Sequence, residues 1–217
     1  MTESVDEDTP RPTPSAPRRR ATVPLVIALP LVVAALIAGY LLGRPVQPID
    51  NSADAGFLRD MSVHHSQAVD MSLIVLEEAD DRVLRTVATD ILRTQQEQIG
   101  RMQGWLVMWD LPARGARPAM EWMAGHGHHG SAEEMPDTMP GMATEADMED
   151  LRAAEGEDAE ILYLQLMIEH HEGGIEMAEA GADLAGEQMV ADFAAGMAEA
   201  QQSEIDLMED MLRERGA

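Results

Sequence analysis

Two adjacent histidines occur twice in this chain, each time in the same methionine-containing frame. Both copies read Met-x2-His-His-x5-Met, and they lie 106 residues apart. Imidazole nitrogen binds several first-row transition metals, and thioether sulfur prefers soft ions such as Cu(I). The pattern therefore predicts a metal site. Its eight candidate ligands are Met61, His64, His65, Met71, Met167, His170, His171 and Met177.

The same offset continues beyond the histidine motif. Gln95 falls on Gln201, and no gap is needed between Phe57/Tyr163 and Leu106/Leu212. This agreement predicts an internal duplication with two equivalent halves. Gln95 and Gln201 interrupt otherwise apolar helical seams, and a buried amide must find hydrogen-bond partners. We predict that these two side chains orient the histidines, as neighbouring polar groups commonly do at metal sites.

Apolar residues at alternating steps of four and three predict helices that position these motifs. The first long helix is expected to run to about 78, and the other three over about 82–109, 157–180 and 187–215, with a short helix over about 144–154. Asp50, Asn51 and Ser52 offer N-terminal caps for the first helix, the Thr144/Asp147 pair caps the short one, and Gly181 and Gly186 are expected to bracket the last turn. Two helical hairpins joined by a longer link predict an all-α four-helix bundle. A pseudo-twofold axis along the bundle would make the first and third long helices parallel, with their histidines at the same height.

The N-terminal region predicts a membrane anchor. Residues 21–43 carry no charge and are long enough to cross a bilayer as one helix, and Arg18, Arg19 and Arg20 precede them. A cleaved signal peptide is the alternative. The anchor predicts a single-pass protein of the cell membrane, with a disordered cytoplasmic tail over 1–20. The main domain is then extracytoplasmic, with a first hairpin over 44–112, a Met/His-rich loop over 113–143, and a short helix and second hairpin over 144–217.

Composition excludes several kinds of function. The chain has no cysteine, so disulfides, thiolate zinc sites and cysteine nucleophiles are excluded. Its formal net charge of −25 repels nucleic acid and concentrates cations near the surface. No triad, phosphate-binding loop or pair of acid–base carboxylates is recognisable, so no catalytic residue is predicted.

The 113–143 loop has the same chemical character as the duplicated motif. Loops of this length inside a compact domain are usually functional or disordered. Its candidate metal ligands are Met120, Met123, His126, His128, His129, Met135, Met139 and Met142. The alternative is a flexible polar linker that contains histidines.

The methionines favour copper over iron or zinc. Ferritin-like di-iron sites place Glu three residues before a ligating His, and this chain has Met61 and Met167 there. Thioethers select Cu(I), and imidazole accepts Cu(I) and Cu(II). Zinc sites use Cys, His and carboxylates. Copper, as Cu(I), Cu(II) or both, is therefore the predicted metal.

At these residues the sequence resembles a ferritin-like family of unknown function, DUF305, which includes CopM-like periplasmic copper proteins. The family pattern Met-x2-His-His-x2-Ala-x2-Met, followed a helix later by Gln-x2-Glu-Ile-x2-Met, matches both halves over about 50–213. The resemblance implies a ferritin-like four-helix bundle and, for some members, copper at the eight motif positions. Two positions depart from the pattern: Gln98 replaces Glu, which Glu204 keeps, and Gly174 replaces Ala.

Together these features predict an extracytoplasmic copper-binding protein for metal tolerance or trafficking. Its partners would be metal ions and, through the N-terminal helix, the membrane; no nucleic acid is expected. Two alternatives stay open. One is a copper-dependent redox enzyme that oxidises Cu(I), and the other is a metal-free helical module for interaction or sensing.

Overall fold

The computed structural model describes residues 24–43, 47–124 and 139–217. Regular structure in these residues is entirely helical, as predicted. The helices are α1 (Leu25–Leu42), α2 (Ala53–Glu78), α3 (Arg82–Met108), α4 (Glu145–Ala153), α5 (Gly156–Leu184) and α6 (Gln188–Arg215), with a 3₁₀ turn at Glu121–Met123. The chain forms two compact units, Met1–Val46 and Gln47–Ala217.

The predicted membrane anchor corresponds to α1 of the first unit. This helix has 18 residues and contains Pro30. Within the described ranges, no helix combines the length and the apolar character needed to cross a membrane. The predicted span over 21–43, and the single-pass topology derived from it, is thus not supported. The predicted tail over 1–20 lies outside the described residues.

The predicted caps begin the helices of the second unit. The Ser52 side chain accepts a hydrogen bond from the backbone N–H of Ala55 at the start of α2. Thr144 and Asp147 form a reciprocal capping box on α4. Such caps satisfy backbone donors that have no partner inside the helix. The caps therefore fix the starts of α2 and α4 close to where the sequence predicts them.

Helices α2 and α5 pack against each other in antiparallel orientation. Near the start of α2, Phe57 contacts Gly181 near the end of α5. Near the end of α2, the hydroxyl of Ser72 hydrogen-bonds that of Tyr163 near the start of α5, at 3.1 Å. The two halves are therefore related by an axis perpendicular to the helices, and the predicted parallel arrangement is wrong. Both arrangements bring the histidines to one height, because each motif lies near the middle of its helix.

Two apolar clusters fill the ends of the bundle. The first cluster surrounds Phe57, Met61 and Leu106, and the second surrounds Val75, Leu84 and Tyr163. Helix α3 ends in the first cluster, whereas α5 begins in the second. The connection between α3 and α5 must therefore cross the length of the bundle. This geometry explains why the link between the hairpins is much longer than the turns within them.

Gly181 lies inside α5 and does not end it as predicted. A Cβ at this position would lie 2.6 Å from the Phe57 ring. Glycine therefore permits close contact between α5 and α2, and the helix continues to Leu184. Sequence inspection assigns this glycine to a turn because the packing partner lies on a different helix.

A reciprocal pair of carboxylates ties each hairpin to the turn of the other. Asp54 of α2 accepts hydrogen bonds from the backbone N–H groups of Gly186 and Glu187, at 3.2 and 2.9 Å. Glu160 of α5 accepts from the equivalent groups of Asp80 and Asp81, at 3.1 and 2.8 Å. Both carboxylates are buried. Each one satisfies donors at the start of a helix, where a negative charge is favourable.

Replacing Asp54 with alanine tests this contact. We expect Asp54→Ala to lower the free energy of unfolding by about 1–2 kcal/mol, because two buried N–H groups lose their acceptor. Urea denaturation measures the change. Asp206→Ala is the matched control, since Asp206 accepts only an exposed hydrogen bond from Gln202 of its own helix. Equal stability of the two variants would contradict the role assigned to Asp54.

Candidate metal centre

The four motif histidines come together in the middle of the bundle and form what we call the histidine centre. His64 and His65 come from α2, and His170 and His171 come from α5; all four are 0% exposed. The rings of His64 and His170 lie face to face, with centroids 3.8 Å apart and planes tilted by 36°. The structure thus joins the two sequence motifs at one place.

Each ring in the histidine centre has a defined hydrogen-bond acceptor at its Nε2 atom. His64 donates to the carbonyl of Pro140 at 2.9 Å, and His170 donates to the carbonyl of His64 at 3.0 Å. The outer pair donates to side chains: His65 to Gln98 Oε1 at 2.7 Å and His171 to Glu204 Oε2 at 2.8 Å. Carbonyl and carboxylate oxygens only accept. The proton of each neutral ring is therefore on Nε2, and Nδ1 carries a lone pair.

Burial keeps His64, His65 and His170 neutral. Loss of solvent lowers the pKa of His64 to about 4, although the Pro140 carbonyl opposes the shift. Burial, with repulsion from His64, lowers the pKa of His65 to about 3. Burial also lowers the pKa of His170 well below its usual range. Neutral imidazole is the form that binds metals.

The Nδ1 lone pairs have no protein partner. The buried side-chain nitrogen and oxygen atoms without a hydrogen bond, among the described residues, all lie in the histidine centre or on the two glutamines that flank it. They are Nδ1 of His64, His65, His170 and His171, Oε1 of Gln95, and both amide atoms of Gln201. Buried polar atoms are normally satisfied, so such a concentration requires an explanation. The four unpartnered Nδ1 atoms are therefore the candidate ligand atoms of the histidine centre.

The four motif methionines flank the histidine centre on both sides. Met61 and Met177 belong to the first apolar cluster, and Met71 and Met167 belong to the second. All four are 0% exposed. Each cluster receives one methionine from each motif because α2 and α5 are antiparallel. Methionine side chains therefore lie on both sides of the histidine rings along the bundle.

The outer histidines hydrogen-bond to Gln98 and Glu204, and not to Gln95 and Gln201, for which an orienting role is predicted. Gln201 packs against α5, where a Cβ at Gly174 would lie 2.2 Å from its Oε1 atom. The residues that hold the outer histidines come one turn later, on the same helices. One sequence feature could have pointed to these partners. Gln98 and Glu204 occupy equivalent positions of the two halves but differ in residue type.

The connection between the hairpins supplies the acceptor for His64. Gly141 has φ +70°, which favours glycine, and the Pro140 carbonyl packs directly on α5 at Gly173. Gln67 exchanges two hydrogen bonds with the backbone of Ala143, each 2.8 Å long. Residues 139–143 therefore form a strap across α2 and α5, and the strap covers the inner histidines. Sequence analysis did not predict this role.

The candidate ligands in the 113–143 loop are distributed differently. Met120 and Met123 are buried in the first apolar cluster, and Met139 packs against it. Met142 is half-buried. His126, His128, His129 and Met135 lie outside the described residues. The structure thus brings Met120 and Met123 into the same cluster as Met61 and Met177.

Histidine and carboxylate groups alone do not make a metal site here. Over the described part of the chain, no three His, Cys, Asp or Glu side chains are gathered so as to hold a metal ion. Any ion bound at the histidine centre must also take other donors or shift the side chains. The buried methionines of the two motifs and the unpartnered amide atoms of Gln95 and Gln201 are other candidate donors in the bundle core.

The fold and the histidine centre define a ferritin-like four-helix bundle with paired, buried His/Met motifs. The chain belongs to the DUF305 family, described as a domain of unknown function, whose pattern matches residues 54–212. No protein with a curated description matches it.

Three solved structures share the fold. A DUF305 protein from Streptomyces coelicolor, described as a candidate secreted protein, is 48% identical, with a TM-score of 0.70; the match covers 78% of this chain and 96% of that one. A DUF305 fragment from Deinococcus radiodurans is 31% identical, with a TM-score of 0.61, covering 75% and 96%. CopM in its Cu(I)-bound form is 21% identical, with a TM-score of 0.57, covering 76% and 98%.

Proposed function

We propose that this protein binds copper at the histidine centre and handles copper outside the cytoplasm, in metal tolerance or trafficking. The observation that supports this most directly is the set of four buried Nδ1 lone pairs. Hydrogen bonds at Nε2 fix the ring orientations, and burial keeps His64, His65 and His170 neutral. A cation that coordinates Nδ1 would satisfy atoms that the protein leaves without partners.

The choice of copper rests on the sulfur atoms. Iron and zinc sites in helical bundles use carboxylates, whereas thioethers favour Cu(I) and imidazole accepts both copper states. The eight proposed ligands are the motif residues Met61, His64, His65, Met71, Met167, His170, His171 and Met177. CopM, which shares the fold, has Cu(I)-bound, Cu(II)-bound and silver-bound forms, and copper and silver ions of single charge are both soft.

Two features support an extracytoplasmic location. The related Streptomyces protein is described as a candidate secreted protein. The chain also lacks cysteine, so Met and His are its soft and borderline ligands in compartments where thiols oxidise. A surface with formal charge −25 would concentrate metal cations near the protein.

A Cu(I) competition titration of the full chain against a chromophoric chelator tests the proposal. We expect His64→Gln/His170→Gln to weaken Cu(I) binding about 100-fold, which corresponds to about 2.7 kcal/mol. Glutamine keeps an N–H donor near the Nε2 position and removes the Nδ1 ligand. Circular dichroism confirms that each variant is folded.

Ser72→Ala/Tyr163→Phe is the matched control. It removes a buried polar pair between the same two helices without touching the histidines, and we expect its copper affinity to equal that of the parent. Unchanged affinity in the histidine variant would place the copper elsewhere. Substituting His126, His128 and His129 would then show whether the 113–143 loop binds it. No binding by the parent would favour the metal-free interaction module.

A further inference from the structure

The two outer histidines have equivalent positions but unequal hydrogen-bond partners. Nε2 of His171 donates to the carboxylate of Glu204 at 2.8 Å, and Nε2 of His65 donates to the amide oxygen of Gln98 at 2.7 Å. The partners are equivalent residues of the two halves, on α6 and α3. Both histidines are 0% exposed, and the side chain of Glu204 is 25% exposed. The outer pair therefore has equivalent positions in the two halves and partners of unequal charge.

A carboxylate and an amide have different effects on a metal-binding imidazole. A carboxylate that accepts the N–H proton fixes the ring and raises the basicity of the opposite nitrogen. A neutral amide fixes the ring with a smaller effect on basicity. Glu204 is paired only with His171 among the ion pairs of the described residues, so no arginine neutralises its charge there. Nδ1 of His171 is thus a stronger donor than Nδ1 of His65.

The charge also discriminates between the oxidation states of copper. Coulomb attraction scales with the product of the charges, so Cu(II) gains about twice as much from the Glu204 carboxylate as Cu(I). From this asymmetry we infer that Glu204 is a positioning residue that directs Cu(II) to the second half. Gln98 leaves the first half better suited to Cu(I). This inference rests on the proposed copper function and adds a preference between the halves.

Two variants test the inference: the single substitution Glu204→Gln, and a double variant that exchanges the residue types at positions 98 and 204. Glu204→Gln should weaken Cu(II) binding by the full chain about 10-fold, and Cu(I) binding about 3-fold, half as much on a logarithmic scale. The Cu(II)/Cu(I) potential would then rise by about 30 mV, at 59 mV per tenfold change in the affinity ratio. The double variant Gln98→Glu/Glu204→Gln keeps the net charge and should restore the ratio. Glu209→Gln, an exposed change on the same helix, is the control and should leave both affinities unchanged.

Nuclear magnetic resonance of ¹⁵N-histidine protein locates the preferred half. In the metal-free parent, Glu204→Gln should shift the ring-nitrogen resonances of His171 and leave those of His65 in place. Substoichiometric Cu(II) should first broaden His171 in the parent and His65 in the exchanged variant. Equal loss of Cu(I) and Cu(II) affinity in Glu204→Gln, or broadening of the same histidine in both proteins, would overturn this inference alone. Absence of copper binding by the parent would instead overturn the proposed function.

Discussion

The metal-free bundle is expected to lose most of its stability between pH 6 and pH 4.5. In the unfolded chain each histidine takes up a proton near pH 6.5. In the folded protein, burial lowers the pKa of His64 to about 4 and of His65 to about 3, and it lowers the pKa of His170 strongly. The unfolded state therefore binds more protons in this window, and stability falls as the pH falls.

The size of this effect follows from the number of buried rings. Each histidine that stays neutral only in the folded state contributes a slope of up to about 1.4 kcal/mol per pH unit. Three such rings give a loss of several kcal/mol across the window, a large part of a typical domain stability of about 5–15 kcal/mol. Urea denaturation of the metal-free chain at pH 7.5, 6, 5 and 4.5 measures the slope. Above pH 7 the histidines are neutral in both states and contribute no slope.

A variant that lacks one buried ring separates this effect from the titration of carboxylates. We expect His65→Gln to have a slope shallower by about 1.4 kcal/mol per pH unit between pH 6 and 4.5, because carboxylate contributions are common to both proteins. The comparison uses differences within each protein, so any change in its absolute stability cancels. Identical slopes in the parent and the variant would show that His65 takes up its proton in the folded state.

The second large effect is expected at Gly173, where the strap packs on α5. A Cβ here would lie 2.2 Å from the carbonyl oxygen of Pro140 and 2.6 Å from the backbone nitrogen of Gly141. These are backbone atoms, so no side chain can rotate away to make room. Gly173→Ala must therefore displace the strap and separate the Pro140 carbonyl from His64. We expect a loss of about 3 kcal/mol from overpacking and from the buried N–H group left without an acceptor.

Gly100→Ala gives the matched comparison. Gly100 also lies inside a helix, but a Cβ there meets no atom within 4 Å. Alanine has the higher helix propensity, so we expect Gly100→Ala to raise the free energy of unfolding by about 0.5–1 kcal/mol. The same substitution should thus have opposite signs at the two sites. Thermal and urea unfolding would reveal the difference, and a stabilising Gly173→Ala would show that the strap does not pack there as described.

Much of the architecture could be read from the sequence because its signals are local or repeated. Heptad-like spacing defines the amphipathic helices, Ser52 and the Thr144/Asp147 pair mark two helix starts, and the 106-residue repeat relates the two halves. These features depend on neighbouring residues or on comparison of the chain with itself. They therefore predicted the all-helical fold and the family, and they placed His64 and His170 each on the apolar seam of its own helix.

Errors in the sequence interpretation arose where two helices must be compared. An internal repeat does not determine the direction of the axis that relates its two halves. The predicted parallel arrangement of α2 and α5 was therefore wrong. Gly181 looks like a turn residue until Phe57 is placed beside it.

Tertiary structure alone decided the chemistry of the histidine centre. Sequence predicted which residues carry nitrogen and sulfur ligands, but hydrogen bonds to Gln98, Glu204, Pro140 and the His64 carbonyl decide which nitrogen carries the proton. These partners come from other helices and from the strap. Burial by the whole bundle then lowers the pKa values of His64, His65 and His170 and leaves Nδ1 of all four rings without a partner. Sequence thus determined the residues available for binding, and packing determined their protonation and orientation, because desolvation and hydrogen bonding depend on every neighbour in space.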